Sequence, residues 1–138
     1  MMIQDNNEIG TRELRKMYHE FLSPLYLLMQ LSRVAYGKYM QNKIYLHALA
    51  IRSSNQKIYD WVMAHLSLVP DSIQEDILQI LNHYDIWMAQ FSEFERDKQP
   101  RLEDPFIFYH IDNQSAFPKA AEQKIFDYYF QIKQVTTI

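Results

Sequence analysis

The sequence has no cysteine and only two glycines, Gly10 and Gly37, among its 138 residues. Without thiols there are no disulfides, no thiolate nucleophile and no cysteine-held metal. Two glycines cannot furnish a phosphate-cradling loop or the many turns of a multi-stranded β fold. The greasiest stretch, residues 21–36, is interrupted by Ser23, Pro24, Gln30, Ser32 and Arg33. It falls short of the roughly 20 apolar residues that a membrane span needs. The first ten residues are polar and acidic and lack the basic and apolar regions of a secretory signal, so a cytoplasmic protein is expected.

What the chain does have is apolar periodicity. Its length suits a single domain, here expected over residues 11–138 behind a flexible arm at 1–10. Leu14, Met17, Phe21, Leu25, Leu28, Leu31 and Ala35 recur at spacings of three and four, which predicts a helix from Thr11, as its cap, to a stop at Gly37. Pro24 removes a backbone donor and clashes with the preceding turn. The helix is therefore expected to kink there, or to restart with Ser23 as N-cap.

A second stripe, Ile44, Ala48, Ile51, Asn55, Ile58, Val62 and Leu66, predicts a helix over 39–66. Asn55 is its one polar member and is suited to fixing helix register beside Arg52. After Pro70, Asp71 or Ser72 with Gln74 or Glu75 reads as a capping box for a third helix reaching Asp97. Periodicity then stops between Lys98 and Phe117, and Pro118 opens a last helix built on Ala121, Ile125, Tyr128 and Ile132. The expected fold is an all-α, antiparallel bundle of about four helices with a long loop before the last.

Charge is unevenly spread behind the net −3. Residues 21–59 hold five bases and no acid, whereas residues 60–105 hold ten acids and three bases. Opposite signs on successive helices predict that they face each other, or that the basic stretch meets an acidic partner. Arg33, Lys38, Lys43, Arg52 and Lys57, interleaved with Tyr36, Tyr39, Tyr45 and Tyr59, give a further alternative of weak nucleic-acid binding. Five bases in such a length are sparse for that role, and the overall pI near 5.9 is acidic.

Tests for chemistry return little. No HExxH sequence, no Glu three residues before a histidine and no Gly-x-Ser-x-Gly elbow is present. No metal, cofactor or small-molecule substrate is expected, and no catalytic residues are assigned. One short segment, His19-Glu20-Phe21-Leu22-Ser23-Pro24-Leu25, resembles the phosphoacceptor box of two-component histidine kinases, although Leu22 stands where that box carries a base. The resemblance implies His19 as phosphoacceptor, with Glu20 tuning its proton and Pro24 bending the helix. This makes a phosphotransfer domain the alternative function.

Aromatic residues make up 14% of the chain, more than the apolar stripes require. Tyrosine suits half-buried surfaces because its ring packs while its hydroxyl stays hydrogen-bonded. The leading expectation is a non-enzymatic protein–protein interaction module, either a small accessory subunit of a bacterial assembly or a homo-oligomer. Its partner-binding residues are expected to be Tyr39, Tyr45, Arg52, Phe106, Phe108 and Tyr109.

Overall fold

A computed structural model describes residues 3–108 and 117–136, with side chains described from Gly10 onward. The described residues form helices and no β-strand: α1 (Ile3–Met17), α2 (Ser23–Gln41), α3 (Tyr45–Ala64), α4 (Gln74–Lys98) and α5 (Lys119–Thr136). α1 and α2 are joined by a π turn, Tyr18–Leu22, into one continuous helix, so the chain is all-α with about four helices. The helix passes through Gly10 and Thr11, which makes Thr11 an interior residue and not a cap.

The π turn is how the chain accommodates Pro24. Ser23 has helical dihedrals, φ −65° and ψ −47°, and its N–H donates to the Tyr18 carbonyl, five residues back. Ser23 is therefore not an N-cap and the helix does not restart. Widening the turn gives the proline ring room against the preceding carbonyls, where an ordinary α turn would clash. The extra residue also brings Tyr18, Phe21 and Leu22 all to the buried side. The Phe21 carbonyl in this turn accepts the Trp61 indole N–H at 3.1 Å, which pins α3 to it.

Gly37 does not end the helix. α2 continues through it to Gln41, and Asn42 breaks away in an extended conformation. Burial of Tyr39 in the last turn of α2 holds the helix past the glycine, so Tyr39 belongs to α2 and not to α3. Helix directions follow from their contacts. Ser32 donates to Asn55 Oδ1 at 3.2 Å while Phe21 meets Trp61, so α2 and α3 run oppositely. Arg52 meets Glu95, whereas Tyr59 feels Asp85, so α3 opposes α4. Arg33 pairs with Glu122 and Tyr26 stacks on Tyr129, so α5 opposes α2. The capping box predicted at Asp71 or Ser72 is replaced by a 3-10 turn without side-chain capping, and Ser72 bonds Tyr128 instead.

Two cores are stacked along the bundle. The first gathers Phe21, Leu22, Leu25, Ile58, Val62, Ile77, Ile80, Tyr84, Ile125 and Tyr129, with α5 supplying one wall. The second gathers Ala35, Tyr39, Ala48, Ile51, Trp87, Phe91 and Phe106, and α5 contributes nothing to it.

Candidate functional site

The second core owes its shape to the end of α4. Gln99 adopts left-handed dihedrals, φ 43° and ψ 57°, and its N–H closes the helix on the Glu95 carbonyl at 2.8 Å. Pro100 forbids the helix from continuing. The chain then turns back across the start of α3 as a strap, residues 99–108. α3 has no side-chain cap, and the strap supplies what it lacks. The Tyr45 N–H donates to the Asp104 carbonyl at 3.0 Å and the Leu46 N–H to the Leu102 carbonyl at 2.9 Å. In return the Phe106 N–H donates to the Lys43 carbonyl at 2.8 Å. Orphan donors of a helix start are thus satisfied by a segment some sixty residues downstream.

Side chains lock the strap down. Phe106 is 1% exposed, with its ring centroid 4.8 Å from Phe94 and 5.1 Å from both Phe91 and Tyr45. The Tyr39 hydroxyl donates to the Phe106 carbonyl at 2.7 Å and accepts the Phe108 N–H at 3.1 Å. The Tyr45 hydroxyl donates to Glu95 Oε2, and the same carboxylate takes Arg52 Nη1 at 3.0 and 3.1 Å. The Arg52 guanidinium also lies 5.2 Å over the Phe91 ring. Burial, followed by the Glu95 hydrogen bond and charge, pushes the Tyr45 phenol above its ordinary range.

The structure places the residues expected at a partner surface as follows. Tyr39 and Phe106 are buried in the chain's own core and present no ring to a partner. Tyr45 and Arg52 are half-buried and committed to Glu95, and Phe108 is half-buried against Trp87. Tyr109 lies outside the described residues. Residues 104–108 return to fill the space that α5 leaves open, so the rings of Tyr39, Tyr45, Phe106 and Phe108 find partners within the subunit, while Arg52 is held by Glu95 and Phe91 of α4.

Among the described residues the filling is incomplete. A cavity of about 180 Å³ remains between the end of α2, α3, α4 and the strap. Its floor is Ala48, Ile51, Trp87 and Phe91, all buried, and its rim is Tyr36, Met40, Lys43 and Ile107, all exposed. Tyr36 and Met40 of the rim lie on α2 just beyond Arg33, where the Arg33–Glu122 pair marks the first turn of α5. Sequence reasoning did not assign Met40 or Glu95 to a site, and it placed Tyr36 only beside the basic stretch and Ile107 only within the aperiodic 98–117 segment. Tyr36 and Met40 share one helix face by their spacing of four. What exposes that face is where α5 begins, a tertiary fact without a local signature.

The alternative sites are placed as follows. His19 and Glu20 are both exposed on the π turn, and the His19 ring meets the Tyr18 ring edge-on at 5.0 Å. Of the five bases in the basic stretch, Arg33 is paired with Glu122 and Arg52 with Glu95, while Lys38, Lys43 and Lys57 are exposed. Among the described residues no cluster of histidine and carboxylate side chains is arranged to hold a metal ion, and no helix is long and apolar enough to cross a membrane. Every resolved tyrosine shift is upward. Burial pushes Tyr129 up to about 12, helped by Tyr18, and raises Tyr84 and Tyr128, while the charge of Asp85 raises Tyr59. These shifts all favour the protonated phenol.

No protein-family model, no curated protein and no solved structure matches this chain.

Proposed function

We propose that the protein is a non-enzymatic helical interaction module whose docking point is the aromatic cavity at the strap end. The partner is a protein that presents one aromatic or branched apolar side chain as an anchor. The observation that carries this reading is a small cavity with a buried apolar floor and an exposed rim that is apolar except for Lys43. Its size argues for a side chain. About 180 Å³ is below the roughly 300 to 1,000 Å³ of small-molecule and cofactor pockets. It is close to the roughly 150 Å³ that accommodates one benzene ring. An anchor in a desolvated pocket, ringed by contacts that exclude water, is how binding energy concentrates in protein interfaces.

A photo-crosslinking residue at position 107, introduced into the full chain in its native host, tests the reading. One discrete adduct is expected, mapped by mass spectrometry to an apolar anchor of the partner and abolished by Met40→Asp. A crosslinker at Gln131 on α5 is expected to give none. Adducts that survive Met40→Asp, or that form equally from both positions, contradict the proposal.

A further inference from the structure

The aromatic cavity carries a single charge at its mouth. Lys43 is the sole charged side chain among the described residues that line it, and it is exposed. It forms no ion pair among the described residues, unlike Arg33 and Arg52, which are held by Glu122 and Glu95. The Lys43 carbonyl accepts the Phe106 N–H at 2.8 Å, so its root is fixed beside the next strap residue, Ile107. Ile107 adds a donor. The strap is locally extended, with Pro105 in an antiparallel bridge to Ile44. The Phe106 N–H and carbonyl and the Phe108 N–H are all used inward, on Lys43 and Tyr39. Successive residues of an extended chain turn their polar groups to opposite edges, so the Ile107 N–H is turned outward. It makes no hydrogen bond among the described residues, and Ile107 is 39% exposed.

Given the docking function proposed above, on which this depends, we infer that the anchor is the C-terminal residue of the partner chain. Its aromatic or branched side chain fills the cavity, and its α-carboxylate is taken by the Lys43 ammonium and the Ile107 N–H. A cation and an unused N–H beside an apolar cavity are the parts that receive a carboxylate. The size of the cavity decides where that carboxylate belongs. In a terminal residue the side chain and the carboxylate branch from one carbon, so a ring seated on the floor leaves the charge at the mouth. An acidic side chain on a following residue starts from a Cα about 3.8 Å further out, where water screens it. A free amino acid is a poorer fit, because its ammonium would be brought toward Lys43. The occupant is therefore a chain end, with its nitrogen neutralised in a peptide bond.

Chemical-shift titration of the full-length protein with capped amino acids at neutral pH provides the test. N-acetyl-phenylalanine is expected to bind about fivefold tighter than the uncharged N-acetyl-phenylalaninamide, as a rim ion pair with a charge-assisted hydrogen bond supplies. It is also expected to move the Ile107 amide proton further downfield than the amide does. Free phenylalanine and a capped phenylalanyl-aspartyl amide, which carries its acid on the following residue, are each expected to bind more weakly than N-acetyl-phenylalanine. Lys43→Met is expected to bring the ratio of the acid and amide affinities to about one. Lys57→Met, the same loss of charge elsewhere on α3, is expected to leave that ratio unchanged. A ratio below about two in the unaltered protein overturns the inference and leaves the docking function standing. Tighter binding of the aspartyl probe or of free phenylalanine, or a ratio that survives Lys43→Met, overturns it as well. Saturable shifts at Ala48 and Ile107 from neither the acid nor the amide overturn both.

Discussion

At the α5 end of the bundle, aliphatic and tyrosine side chains from the helices and the π turn meet in a closed core. At the strap end, a short non-helical segment stands where a helix would run, the core is mostly aromatic, and a cavity remains. The difference is one of geometry. A helix laid along a groove buries residues at every turn and satisfies its own backbone. A strap must export its hydrogen bonds, here to the start of α3 and to Tyr39. It inserts one large ring, Phe106, where a helix would insert several side chains. Closure by a helix yields stability, and closure by a strap yields an opening.

The largest test of this contrast is Phe106→Ala. Truncating a fully buried phenylalanine costs about 3 to 5 kcal/mol, as Phe21→Ala is expected to do in the first core. The two are distinguished by what opens. Native-state hydrogen exchange is expected to speed the Tyr45 and Leu46 amides in Phe106→Ala, because their acceptors lie on the strap, while Ile58 and Val62 keep their protection. Equal loss of protection at both ends would show that the molecule has one cooperative core and not two.

Alkali acts next, and chiefly on the closed end. Tyr84 and Tyr129 both sit in the first core with raised pKa, Tyr129 at about 12 against an ordinary value of 10.0. The folded state holds these protons more tightly than the unfolded chain. Their contribution is therefore complete below pH 10 and is lost as pH rises from about 10 toward 12. Denaturant titrations over that window are expected to show falling stability, with a shallower fall in Tyr84→Phe. An identical slope in the variant would remove the phenol from this role.

Smaller effects sharpen the open end. Glu95→Ala releases both the Arg52 guanidinium and the Tyr45 hydroxyl. It is expected to cost about 1 to 2 kcal/mol by chemical denaturation, since the pair is only partly buried. Gly37→Ala is expected to stabilise by about 0.5 to 1 kcal/mol, because a Cβ there meets nothing within 4 Å and the residue is mid-helix. A destabilised Gly37→Ala would mean that the glycine serves a contact the chain makes in its assembled form.

The helices were legible in the sequence because the stripes Ile44–Ile51–Ile58–Val62 and Ile73–Ile77–Ile80–Tyr84 repeat with the period of a helix face, and the structure buries most of these positions. The pairing of opposite charges on neighbouring helices was legible too, as Arg52 with Glu95. Local stops were misread. Gly37 looked like a terminator and Pro24 like a kink or a restart, yet burial of Tyr39 carries the helix past the first, and at the second a π turn keeps the helix continuous. The site was hardest to read. An aromatic residue off a stripe is equally suited to a partner's surface or to a strap of its own chain. Phe106 is settled only by the long-range bonds that fold residues 99–108 over α3. Met40, and the place of Tyr36 in an apolar rim, became visible only once the starting point of α5 was known.

The central claim is that the strap end holds a vacancy shaped for one apolar side chain. Chemical-shift mapping with N-acetyl-phenylalaninamide, added at about 10 mM to the full-length protein, tests it most directly. Saturable shifts are predicted at Tyr36, Met40, Ala48 and Ile107, and they are predicted to vanish when Ala48→Leu fills the floor. Shifts concentrated on the first core, or undiminished in Ala48→Leu, contradict the account.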